Sequence, residues 1–98
     1  MAVLDPEVVL RDDTAGLPGG AATMRGARAV GAYALRYSRS ARFVRPALVD
    51  GTPGLAIRLP GRLIGALGFT VDADAITAID MISDRGRLRQ VKVTARGE

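Results

Sequence analysis

Neither cysteine nor histidine occurs in this chain. Without cysteine there are no disulfides, no thiolate nucleophiles and no Cys-based zinc sites. Without histidine, a Ser-His-Asp triad, a His-lined metal site and most general-base catalysis near neutral pH are excluded. Aromatic side chains are scarce, amounting to Tyr33, Tyr37, Phe43 and Phe69, so Leu, Ile, Val and Ala must fill the core. No apolar run approaches the ~18 residues of a membrane helix, and Met1 is not followed by a basic-then-apolar leader pattern. No acidic loop has EF-hand spacing. The stretch Gly16-Leu17-Pro18-Gly19-Gly20 lacks the Gly-Lys-Ser/Thr element of a phosphate loop and reads as a mobile connection. A cytoplasmic protein with no metal and no cofactor is therefore expected.

What is present suits one small domain. Ninety-eight residues bury only about 60–65% of the surface that the unfolded chain exposes. Apolar residues make up 48% of the chain, too many for a disordered polypeptide. The formal net charge is +4, and Lys92 is the single lysine, so the basic character is almost entirely arginine. Residues 1–88 are expected to form the domain and residues 89–98 a basic C-terminal tail.

Val8, Val9 and Leu10 mark a first strand at about residues 7–12. Asp12 to Gly20 is dense in turn formers and reads as a loop. From Gly26 to about Ser38, Val30, Tyr33, Ala34 and Tyr37 recur at helical spacing. Gly31 inside that helix costs about 1 kcal/mol relative to alanine, which implies a weak helix or a close backbone approach.

Four short apolar segments follow: Phe43–Val49, Leu55–Pro60, Arg62–Val71 and Ala75–Ile82. Their separators are Asp50-Gly51-Thr52-Pro53, Pro60-Gly61 and Asp72-Ala73-Asp74. Connections this short join antiparallel neighbours, so a β-meander is predicted. In the third segment, Leu63, Leu67, Phe69 and Val71 share one face, and Ile64, Ala66 and Thr70 the other. Both faces are apolar. One can meet the helix, and the other calls for a second layer that the chain does not obviously supply. The last stretch alternates basic and apolar residues, with Gln90–Thr94 as a candidate edge strand or part of a disordered tail.

The order of these motifs resembles a known family. Glu7-Val8-Val9-Leu10-Arg11-Asp12, then Met24-Arg25-Gly26-Ala27 opening a helix, then Arg45-Pro46-Ala47-Leu48-Val49-Asp50-Gly51 and the meander from Gly54 to Leu88 resemble the SnoaL-like C-terminal domain. That domain is fused to actinobacterial extracytoplasmic-function sigma factors. The resemblance implies a cystatin-like, nuclear-transport-factor-2-like α+β fold, a curled antiparallel sheet on one main helix. It lacks the usual N-terminal capping helices, of which Met1–Leu4 would be the remnant. The core-polymerase and promoter-binding regions do not appear, and Asp12-Asp13-Thr14-Ala15-Gly16 stands where the family has a glycine-rich motif. The resemblance thus implies a non-catalytic binding or regulatory domain, with a sigma factor or RNA polymerase as partner. With the capping helices missing, a second copy is expected to cover the exposed apolar face, giving a homodimer.

In that superfamily the curled sheet encloses an apolar pocket for a small ligand. Here Tyr33, Tyr37, Leu67, Phe69 and Ile79 are the residues placed to line it, or to serve as ordinary core. An isomerase-like alternative needs a pocket carboxylate with oxyanion donors, for which Tyr33 and Tyr37 are the candidate phenols. Asp80, inside an otherwise apolar strand, is the candidate base, grouped by alternation with Ile76, Ala78 and Ile82; an arginine-paired strand-end Asp explains it as well. Arg36, Arg39, Arg42 and Arg45 recur every third residue, and no acidic residue lies between Thr14 and Val49. This basic surface suits phosphate. Direct nucleic-acid binding is nevertheless not expected, because few aromatics are placed to stack bases.

Overall fold

The computed structural model describes residues 3–17, 20–35 and 42–95. Its elements run β1 (Val3–Leu17), β2 (Gly20–Arg25), α1 (Ala27–Leu35), β3 (Val44–Val49), β4 (Thr52–Leu59), β5 (Arg62–Asp72), β6 (Ala75–Ile82), α2 (Arg85–Gln90) and β7 (Val93–Ala95). All seven strands form one curled, mixed sheet in the order β2-β1-β6-β5-β4-β3-β7.

The meander β3–β6 forms as its turn chemistry dictates. Asp50 (φ 51°) and Gly51 (φ 82°) both take positive φ, as a two-residue primed turn requires, and close Val49 onto Thr52. Pro60-Gly61, with Gly61 at φ 73°, closes Leu59 onto Arg62. Ala73 (φ 50°) and Asp74 (φ 66°) make the third two-residue turn, closing Asp72 onto Ala75.

The first strand is longer than its apolar run. β1 continues through Asp12 to Leu17 and pairs antiparallel with β2, so residues 13–17 and Gly20, expected in a loop, lie in strands. An edge hairpin tolerates such residues because its ladder bonds are backbone bonds. Val3 and Leu4 pair with Ala75 and Ile76 in a parallel ladder to β6, which corrects the expectation of a helical remnant at Met1–Leu4. Pro6 has no N–H for that ladder and sits where the register shifts between Leu4 and Val9. There the Asp5 carboxylate accepts from the Glu7 N–H at 2.8 Å.

Two bulges reset the alternation. Ile57 pairs with Gly65 but Arg58 with Leu63, leaving Ile64 as the extra residue. Leu63 therefore shares a face with Ala66, not with Leu67 as strict alternation has it. Thr70 pairs with Ala78 but Val71 with Ile76, leaving Thr77 extra. Ile76 is thereby turned away from the Asp80 face and packs on the main core with Val8, Leu10, Val30, Tyr33 and Ile79.

That core lies between α1 and the β1–β6 half of the sheet. On the other face Ala47, Val49, Ala56, Ala66 and Ile82 are all buried within the single chain. The second layer there is α2, which packs on β5. It begins beside the end of β6 and leads to Lys92, whose N–H donates to the Asp50 carboxylate at 2.8 Å. The face beneath is built of small residues, Gly54, Ala56, Ala66 and Gly68 in register, so a helix can approach closely. That face is buried without a second copy. β7 overlaps the expected edge strand Gln90–Thr94 only at Val93 and Thr94, Gln90 being the last residue of α2, and it pairs with β3.

The carboxylate of Asp13 fastens α2. It accepts from the Ser83 N–H at 2.9 Å, the Ser83 hydroxyl at 3.2 Å, the Asp84 N–H at 3.2 Å and Arg87 Nη1 at 3.1 Å. Asp84 caps the helix by accepting from the Arg87 N–H at 3.0 Å.

Candidate functional site

α1 leans over β1 and β2, at one edge of the sheet. Gly26 (φ 94°) turns the chain from β2 into the helix, and its N–H donates to the Val8 carbonyl at 2.8 Å. Because α1 covers only that side, the same sheet face over β4 and β5 borders open space. The result is a cavity of about 460 Å³, within the usual range for small-molecule sites.

Of the residues placed in this pocket from sequence, Tyr33, Leu67, Phe69 and Ile79 do line it. Tyr37 lies outside the described residues. Leu55 and Ile57 of β4 close the far wall, and Val30, Gly31 and Ala34 of α1 the near one. All are apolar. The cross-strand pairs Leu55–Leu67 and Phe69–Ile79 show why: paired residues share a face.

Gly31 is informative. A Cβ built there meets nothing within 4 Å. The glycine is thus not explained by a passing backbone; it borders the cavity in mid-helix, where alanine would stabilise α1.

One lining residue, Tyr33, carries a polar group. The Tyr33 hydroxyl donates to the Asp12 Oδ2, and Asp12 is only 2% exposed. Sequence reasoning set Asp12 at the junction of the first strand and the loop and gave it no role in the site. The available signal was period two: Val8, Leu10 and Asp12 continue one face of one strand.

Asp80 is not in the cavity. It pairs in register with Gly68 and Arg11, between the cavity-facing Ile79 and Met81, so its exposed side chain points to the opposite face. The structure thus does not bring Asp80 and Tyr33 together as base and oxyanion donor. Of the basic surface, Arg42 and Arg45 are exposed, while Arg36 and Arg39 lie outside the described residues. The Arg42 guanidinium stands 4.8 Å over the Phe43 ring. Arg45 Nη1 donates to the Arg42 and Val44 carbonyls, both at 2.9 Å.

Among the described residues no group of three or more acidic side chains is placed to hold a metal ion, and no helix is long and apolar enough to cross a membrane. No family model matches the chain, and no curated protein or solved structure is significantly similar to it.

Proposed function

We propose that the chain is a non-catalytic binding domain that takes a small hydrophobic molecule into the cavity between α1 and β4–β5. The observation that carries this reading is the cavity itself: about 460 Å³ with apolar walls, kept open at Gly31 where a side chain would fit without contact. Burying an apolar ligand there gains roughly 25 cal/mol per Å². The Tyr33 hydroxyl, a polar group of the lining, is bonded to Asp12, which suits holding a ligand better than transforming it. A curled sheet with a helix over one face supports a cystatin-like assignment. In the accessory-domain setting implied by the motif order, a sigma factor or RNA polymerase reads the occupancy of this cavity.

The test uses N-phenyl-1-naphthylamine, a neutral probe whose fluorescence rises in apolar surroundings. Ala34 is exposed and borders the cavity from α1, so Ala34→Phe fills the space without disturbing the core. Saturable enhancement by the parent protein and at least a tenfold weaker affinity for Ala34→Phe are expected. No enhancement, or equal enhancement by the two, refutes the reading.

A further inference from the structure

The cavity has two unlike ends. Its lining side chains are apolar apart from the Tyr33 hydroxyl, which is bonded to Asp12. A charged group on a ligand must therefore stay outside the walls. At one end of the sheet β3 begins and β4 finishes, and there the paired Val44 and Ile57 belong to the wall. At the other end stand the turns after β3 and β5, with Asp50, Asp72 and Asp74.

Beyond the Val44–Ile57 pair the flanking charge is positive. Arg42 precedes Val44 by two residues. Leu59 follows Ile57 by two, which keeps it on the cavity face, and its register partner is Arg62. Two strand positions span about 7 Å, a distance that an extended arginine side chain covers. Arg58, between Ile57 and Leu59, takes the opposite face. The Arg42 guanidinium is held 4.8 Å over the Phe43 ring. Both Arg42 and Arg62 are exposed, and among the described residues neither makes an ion pair. No acidic residue occurs from Thr14 to Val49 or from Gly51 to Val71, so neither segment flanking this end supplies a counter-charge.

We propose that the ligand is an anionic amphiphile of the fatty-acid class, an inference that rests on the reading of the cavity as a ligand site. Its hydrocarbon chain lies among the apolar walls, and its carboxylate emerges past Val44 and Ile57 to meet Arg42 and Arg62. Guanidinium forks match carboxylate geometry, and stacking on Phe43 holds one of them in place before the ligand arrives. A neutral hydrocarbon leaves both cations without a partner, and a cationic head is repelled by them. Such a head would have to lie at the acidic turns instead, where Asp50 already accepts from the Lys92 N–H at 2.8 Å.

Displacement of N-phenyl-1-naphthylamine by decanoate and by decyltrimethylammonium, at pH 8 and 50 mM KCl and below micelle-forming concentrations, tests the head assignment. The tail is the same, so the ratio of the two inhibition constants in one protein reports the head. In the parent, decanoate is expected to act at a concentration roughly tenfold lower or less, because the charges that attract one head repel the other. Arg42→Gln/Arg62→Gln brings the two to within about twofold of each other, and Arg62→Glu alone lowers the ratio by about threefold or more. Arg58→Gln, one residue from the wall but on the opposite face, keeps the parent's ratio. Circular dichroism establishes that each variant is folded. Equal displacement by the two amphiphiles, tighter binding of the ammonium, or an equal loss in Arg58→Gln overturns the proposal and leaves the cavity reading standing. Absence of naphthylamine binding by the parent removes both.

Discussion

Replacing Asp13 with alanine isolates what holds α2 to the sheet. The carboxylate accepts from two backbone N–H groups, one hydroxyl and one guanidinium. The guanidinium belongs to a side chain 55% exposed, so the ion pair contributes at most about 0.5 kcal/mol. The two N–H bonds to a charged acceptor contribute about 1–1.5 kcal/mol each. Asp13→Ala therefore costs about 2–3 kcal/mol, which at 4–8 °C per kcal/mol for a chain of this size lowers Tm by roughly 10–20 °C. Arg87→Ala removes the ion pair alone and lowers Tm by about 2–4 °C. Thermal denaturation followed by circular dichroism measures both. Hydrogen exchange of residues 85–95 in Asp13→Ala is expected to rise before that of β3–β6. Equal Tm losses for the two variants would mean that the ion pair dominates. A Tm for Asp13→Ala within a degree of the parent would refute the capping argument altogether.

Other substitutions probe separate features. Gly31→Ala raises stability by about 0.5–1 kcal/mol in urea denaturation while weakening naphthylamine binding, because its methyl enters the cavity; loss of stability would show an unseen packing constraint. Ala73 holds φ 50° in a primed turn, so Ala73→Gly relieves left-handed strain and raises stability by about 0.5–1 kcal/mol, measured in the same way. A Cβ at Gly54 would lie 2.0 Å from the Leu67 carbonyl oxygen, so Gly54→Ala forces β4 from β5 and costs about 3 kcal/mol or more, visible as a collapsed Tm. Tyr33→Phe deprives buried Asp12 of a donor and costs about 1–3 kcal/mol; an unchanged urea midpoint would contradict that bond.

Turn residues made the meander legible. Asp50-Gly51, Pro60-Gly61 and Asp72-Ala73-Asp74 stand where β3 to β6 reverse, and the helical spacing of Val30 and Tyr33 marks the buried stripe of α1. Three other features were hidden for physical reasons. The bulges at Ile64 and Thr77 carry no residue signal, so the faces of Leu63 and Ile76 followed from pairing rather than from alternation. α2 is too short to show periodicity, and its arginines read as a solvated tail, although Asp84 is a favourable N-cap residue. Asp12 was concealed by the density of turn formers beside it. In the site, Leu67, Phe69 and Ile79 were readable from strand parity. The separation of Asp80 from the cavity was readable in the same way, because Asp80 directly follows Ile79 in the strand and so takes the other face.

The parallel seam between β1 and β6 sets the order in which the molecule is assembled. Residue 3 must find residue 75, and residue 12 residue 81, whereas every pairing within β3–β6 closes across a two-residue turn. Loop-closure entropy makes the distant pairing the slower event. The cavity beside α1, whose two walls belong to opposite sides of that seam, thus comes into being only once that slower pairing is made.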